Sequence, residues 1–272
     1  MRRQLYPNSA ERAYMRMLLR YVNTITKETQ RQLRFRDLYR LDGFSEDLTA
    51  LIESMLEFSD GLTRSMTLRL PDVYAQVNVW QDRQWRLVVK SGTGVSLPSS
   101  QTIPPQLRDF GNVTEPQVLR TKFGIGVDVY RSEPWLAQHQ ANWIAQNTSL
   151  IKTIEPQYMG KVENIVRQGV MNGTSPRELA AQVEHAGNIT ASRAKIIARD
   201  QISKANSELT MYRQKELGIE EYTWSTSMDE RVRPTHRAHE GKVYKWSEPP
   251  ANTGHPGHEV LCRCDALPVF KD

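Results

Sequence analysis

The chain has two cysteines in 272 residues, Cys262 and Cys264, with one residue between them. A C-x-C pair cannot serve as a disulfide framework for a chain this size, so we expect synthesis in a reducing cytoplasm. No apolar run approaches the ~18 residues needed to cross a membrane, and no membrane contact is expected. The opening MRRQLYPNSAERAYMRMLLR lacks the continuous apolar stretch of a secretory signal. No internal repeat is visible. Apolar residues make up 39% and charged residues 25%. A core can therefore form, but much helical surface must be wet or pressed against something polar. The length suits one large domain or two ordinary ones.

What is there begins with charge. The net +5 is unevenly placed: residues 1–40 carry ten Lys/Arg against three Asp/Glu, and the other 232 residues carry 26 against 28. Arg2, Arg3, Arg12, Arg16, Arg20, Arg31, Arg34 and Arg36 supply most of the excess. A basic arm of this kind points to nucleic acid or an acidic protein surface. The alternative is an amphipathic helix with its arginines in water.

Residues 9–41 read as a helix with Ser9 as N-cap, because Tyr14, Leu18, Tyr21, Val22 and Ile25 recur at three- and four-residue steps. A second, shorter helix is expected over 45–58 with Leu48, Leu51, Ile52 and Leu56 inward. The segment VYAQVNVWQDRQWRLVVK reads equally as one helix or two strands. SGTGVSLPSSQTIPP, residues 91–105, is linker-like. From Pro134 the helical signal is strong. Ala137, Ala141 and Ile144 mark one face, with Leu136 and Trp143 beside them. Ile151, Ile154, Tyr158, Val162, Ile165 and Val166 mark the next, ending at Gly173. SPREL, residues 175–179, is a capping box, and after His185-Ala186-Gly187 a long helix is expected over 191–217. Beyond Gly218 the period changes, and YTWST, KVYKW and DALPVF read as strands.

The carboxy-terminal stretch DERVRPTHRAHEGKVYKW…HPGHEVLCRC holds four of the six histidines and both cysteines. His236, His239, Cys262 and Cys264 are the ligand types that zinc takes in a tetrahedron, although C-x-C is a tighter chelate than the usual C-x₂₋₄-C. A thiolate–imidazolium pair, or a nuclease site of Asp229, His236 and His258, uses the same residues. Arg231, Arg233, Arg237 and Arg263 either bind phosphate or pair with Asp229 and Glu240; the second is preferred.

The residues in register carry more than their types. LGIEEYTWSTSMDERVRPTHRAHEGKVYKW followed by EVLCRC resembles the carboxy-terminal signature of phage head morphogenesis proteins, the minor head proteins similar to protein F of phage Mu. The matching positions are Trp224, Thr226, Asp229, Arg231, Arg233, His236, Gly241, Cys262, Arg263 and Cys264. The resemblance covers about residues 125–270 and leaves 1–58 without a signature. It implies a minor head protein inside the capsid of a tailed phage, associated with the portal vertex and acting in procapsid assembly, DNA packaging or DNA delivery. Its implied partners are the portal protein, phage genomic DNA and scaffolding or major capsid protein, with no small-molecule substrate. Some relatives carry D-x-x-x-C-x-x-C with C-R-C, a four-cysteine pattern. Here Arg233 and His236 stand at its first two cysteine positions, which counts against zinc unless His239, His255 or His258 replaces a ligand.

These readings combine into an α+β, mainly α chain, an elongated helical body with a small strand-containing module. Its expected segments are a basic helical arm over 1–58, a variable helical or linker region over 59–125, a helical core over 126–218 and the module over 219–272. No enzyme and no cofactor are expected; a nuclease or toxin-like activity, or non-specific DNA binding, is the alternative. We expect Asp229 to pair with an arginine and His236 to lie near the cysteines. The eight amino-terminal arginines are the expected contacts to DNA or portal.

Overall fold

The computed structural model describes residues 4–35, 44–99, 118–120, 126–128 and 133–270. The chain is α+β and mainly α. Its helices are α1 (Asn8–Phe35), α2 (Phe44–Thr67), α3 (Leu70–Thr93), α4 (Leu136–Lys152), α5 (Ile154–Met171), α6 (Pro176–Glu216) and the one-turn α7 (Pro234–Arg237). Strands β1 (Val118–Arg120) and β2 (Gly126–Asp128) form an antiparallel pair, and β3 (Glu221–Ser225), β4 (Val243–Lys245) and β5 (Asp265–Pro268) form an antiparallel sheet ordered β4-β3-β5.

Two compact units each gather segments distant in sequence: Met1–Ala10, Tyr74–Gln140 and Asp200–Asp272 in one, Glu11–Val73 and Ala141–Arg199 in the other. These units cut across the four consecutive segments expected from sequence character. The region 59–125, expected to be helix or linker, holds the end of α2, all of α3 and also strand β1.

In the unit holding Glu11–Val73, α1 is a core helix and not a separate arm. Tyr14, Leu18, Tyr21, Val22 and Ile25 are all buried, and each fully buried side chain of this size stabilises by roughly 1.5–3 kcal/mol. The Tyr14 hydroxyl donates to Asn147 Oδ1 at 2.8 Å, and its ring meets Trp143 at 5.9 Å. The helix begins at Asn8, so Ser9 lies in its first turn. Helix α2 runs nine residues past the expected end at Phe58. Its inward positions are Leu48, Leu51, Met55 and Ser59, and Leu56 is exposed. It packs against α5, where Ile154, Tyr158, Val162 and Val166 are buried and Ile165 is half-exposed; Ile151, also buried, lies in α4.

Gly173 (φ 63°) closes α5 as a Schellman turn: its amide reaches Val170 O and the Thr174 amide reaches Gly169 O. Ser175 and Glu178 then form the reciprocal capping box that starts α6. Helix α6 is continuous for 41 residues, where a break was expected around His185-Ala186-Gly187. Gly187 lies inside the helix because Thr26 of α1 closes on it; a Cβ built there would lie 2.6 Å from the Thr26 hydroxyl.

In the other unit, VYAQVNVWQDRQWRLVVK is one helix. Tyr74, Val77, Gln81, Trp85, Val88 and Val89 are buried at helical spacing. The inward Gln81 hides that period from a count of apolar residues alone. Trp85, Val88, Val89, Leu97, Leu217 and Ile219 form a core with Phe270 against it. The α4 face also differs from expectation. Ala137 and Ala141 are exposed, and the buried positions are His139 in this unit and Trp143, Asn147 and Ile151 in the unit holding Glu11–Val73. Alanine offers little area to bury, while His139 and Asn147 have specific partners. His139 Nδ1 meets the Tyr74 hydroxyl at 2.5 Å and Nε2 meets Glu208 at 2.8 Å.

Candidate functional site

The carboxy-terminal sheet builds the site. In β3, side chains alternate between faces, so Tyr222 and Trp224 point inward together. The register pairs Tyr222 with Tyr244 and Pro268, and Trp224 with Ala266. Trp246, Cys262, Cys264 and Ala266 complete a buried cluster with these two aromatics. The end of α6 anchors it: Gln214 donates to Ala266 O at 2.8 Å and accepts from the Trp246 indole at 3.0 Å. The Ser203 hydroxyl donates to Cys262 O at 2.7 Å.

His236 is carried on α7, which Pro234 starts at its first helical position. The imidazole is 2% exposed. Its Nδ1 lies 3.4 Å from Cys264 Sγ and 3.5 Å from Cys262 Sγ. Its Nε2 is 2.8 Å from Glu259 Oε2, which also accepts from Arg233 at 2.9 Å. Trp224 stands edge-on to the ring, with centroids 5.5 Å apart. Amides of Gly257 and Cys264 point at Cys262 Sγ, at 3.3 and 3.5 Å. A hydrogen bond from the Cys264 thiol, with those amides, holds Cys262 below the ordinary thiol value. Cys264, giving that hydrogen bond from a buried place, is pushed up.

A second knot lies beside the first. Arg263, between the cysteines, grips Asp229 with two hydrogen bonds of 2.6 Å each. The guanidinium holds the Asp229 carboxyl down to about 2, and the Arg231 amide adds to the effect. The two knots are made by backbone in unusual conformations. Met228 (φ 58°) and Leu261 (φ 59°) take left-handed values that bulky residues rarely adopt. The Leu261 amide is fixed by Asp200 Oδ1 at 2.9 Å, and the Met228 amide by Thr226 Oγ1 at 3.3 Å.

The structure thus gathers Trp224, Asp229, Arg233, His236, Cys262, Arg263 and Cys264. Thr226 is buried at the strand end, where Glu240 accepts from its amide. Gly241 (φ 72°) makes the turn into β4, its amide reaching Trp224 O. Arg231 is exposed, 3.7 Å from Asp229. His239 is not with the cysteines. Its Nδ1 meets the Tyr244 hydroxyl at 2.6 Å and its Nε2 meets Thr253 at 3.2 Å, so both ring nitrogens are engaged. His255 is held by Tyr222, and His258 is exposed. Sequence reasoning missed Glu259 and Gly257. The signal for both is HPGHE one residue before LCRC, where a carboxylate and a glycine precede the cysteines.

Of the arginines expected to meet DNA or portal, Arg12, Arg16 and Arg20 are exposed one turn apart on α1, and Arg31 is exposed and paired with Glu28 at 2.8 Å. Apolar residues of α1 face inward and these cations face outward, an exposure that both readings of the basic segment require. Arg2, Arg3 and Arg36, and the Arg34 side chain, lie outside the described residues.

Residues 160–267 match the family of phage Mu protein F-like proteins. That span contains the rest of α5, all of α6 and every residue of both knots. An uncharacterised protein of Haemophilus influenzae (strain ATCC 51907 / DSM 11121 / KW20 / Rd) is 43% identical over 153 residues, which is 56% of this chain and 34% of that protein. The chain therefore spans about a third of the length of that curated relative. No solved structure matches it.

Proposed function

We propose, on the premise that residues 160–267 belong to the phage Mu protein F-like family, that the chain is a minor head protein of a tailed phage. It acts inside the capsid at the portal vertex, in procapsid assembly and in DNA packaging or delivery. The observation that carries this reading is the family match itself, which covers the folded His236 and Asp229 knots whole. Its partners are the portal protein and phage genomic DNA, with scaffolding or major capsid protein as further contacts.

The geometry of the module supports a role without catalysis. A general base must be free to reach the proton it takes. Asp229 is engaged by Arg263 through both oxygens, and His236 by Glu259 and the cysteines. The nuclease reading asks these same groups to act on a substrate.

The stripe of Arg12, Arg16 and Arg20 is the surface proposed to meet phosphate or an acidic portal face. Phosphate neutralisation by Lys/Arg is sequence-independent, as an internal head protein requires. Deleting residues 1–58 would remove buried Tyr14, Leu18 and Leu51 with the cations. The test is therefore Arg12→Glu/Arg16→Glu/Arg20→Glu in the full chain. The variant should fold as before, co-purify less with portal and lose its salt-dependent DNA binding. Procapsids that take up the variant and package DNA at wild-type levels would overturn the assignment of this stripe.

A further inference from the structure

We propose that His236, Cys262 and Cys264 hold one zinc ion, with Glu259 orienting the histidine and a solvent molecule as fourth ligand. The inference does not depend on the head-protein reading.

The first support is size. Zinc binds thiolate at about 2.3 Å and imidazole at about 2.0–2.1 Å, so the N···S edge of its tetrahedron is about 3.5 Å. His236 Nδ1 lies 3.4 and 3.5 Å from the two sulfurs, and all three donor atoms fall within 4.8 Å of one another. Both N···S distances match that edge, and all three residues are buried.

The second support is the tautomer. Glu259 at 2.8 Å from Nε2 takes the proton of that nitrogen as a hydrogen bond. The lone pair is then on Nδ1, facing the sulfurs. A carboxylate behind a ligating histidine is the usual outer partner of a metal site, and Arg233 holds this one in place at 2.9 Å.

The third support is charge. Two amides point at Cys262 Sγ, an arrangement that suits a thiolate. Two buried thiolates need a cation, yet Arg263 is bound to Asp229 and Arg233 to Glu259. A divalent ion with two thiolates and a neutral imidazole has no net charge. Each thiol yields its proton to solvent as its sulfur binds the metal. Two sulfurs and an imidazole in a tetrahedron favour zinc over harder divalent ions. His239 is excluded as a ligand because Tyr244 and Thr253 hold both its nitrogens.

The full chain, purified without a metal-affinity step, is assayed for metal content, stripped with chelator and titrated with Zn²⁺ and Co²⁺. One equivalent should bind, and the cobalt form should show a thiolate-to-metal charge-transfer band. Cys262→Ser, Cys264→Ser and His236→Ala should each lose the metal. Glu259→Gln should weaken binding about 10–100-fold, and His239→Ala should bind as the parent does. Parent chain that is folded by circular dichroism but takes up no equivalent and shows no charge-transfer band overturns the proposal, even if the cysteine variants fail to fold. So does a Cys264→Ser chain that keeps its metal, or a His239→Ala chain that loses it.

Discussion

Arg213 and Glu133 form a bidentate ion pair sealed from water: Nε to Oε1 is 2.7 Å and Nη2 to Oε2 is 2.9 Å, with the arginine side chain wholly buried. Asn78 and Gln81 each accept a further proton of the guanidinium. Glu133 itself takes a φ of 40°, so the pair also fixes strained backbone. Arg213→Met would leave a buried carboxylate without its counter-charge, at a cost of about 3–5 kcal/mol. Adding Glu133→Leu should recover part of that loss, because the orphaned charge is gone. Urea midpoints of both single variants and the pair measure it. Single-variant losses below about 1 kcal/mol would contradict the sealed arrangement.

The Asp229–Arg263 pair gives the module an acid limit. The Asp229 carboxyl is held at about 2 in the folded chain and returns to about 3.9 when unfolded. Its contribution is therefore complete above the unfolded value and is lost as pH falls through about 2. The melting temperature of Asp229→Asn should lie below that of the parent at pH 6, and the gap should close toward pH 2. A gap independent of pH would mean that the carboxylate charge is not what matters.

Glu155 works in the opposite direction. Burial lifts its carboxyl to about 6, against the effect of the Ser59 hydroxyl. A carboxyl raised on folding supports the fold below its unfolded value of about 4.3 and loses that support as pH rises through 6. Glu155→Gln should leave stability nearly unchanged at pH 4 and raise it at pH 8. Equal shifts at both values would dissociate Glu155 from the effect.

Gly187 tests the approach of α1 to α6. A methyl group there meets Thr26 Oγ1 at 2.6 Å and Cγ2 at 2.7 Å. Gly187→Ala should thus destabilise by about 1–3 kcal/mol, although alanine is the better helix former. Thr26→Ala in the same chain should reverse most of it. If Gly187→Ala alone stabilises, the helices are further apart than the structure has them.

Helices α1 and α5 were legible because their inward positions are apolar, and Gly173 marks the end of α5. Legibility failed where inward positions are polar. Gln81 in α3 and His139 and Asn147 in α4 are buried through partners 40 or more residues away, which no local period reveals. Gly187 read as a break because glycine usually is one; its reason is Thr26, 161 positions earlier. At the site, the pairing of Asp229 with an arginine and the nearness of His236 to the cysteines were read from register with a family. Glu259 is marked in the sequence only by its place before the cysteines, and its contact with His236 across a loop needed coordinates.

The polar anchors of α4 have a consequence for which fold forms, apart from how stable it is. An apolar face tolerates a slide of one helical turn, since one methyl group replaces another. Asn147 does not: it meets Tyr14 in a single position, and His139 is fixed likewise between Tyr74 and Glu208. A slipped α4 would bury these groups unsatisfied, at roughly 1–3 kcal/mol each. Competing arrangements with the same hydrophobic burial are thereby raised in energy, and the helix is left with one register.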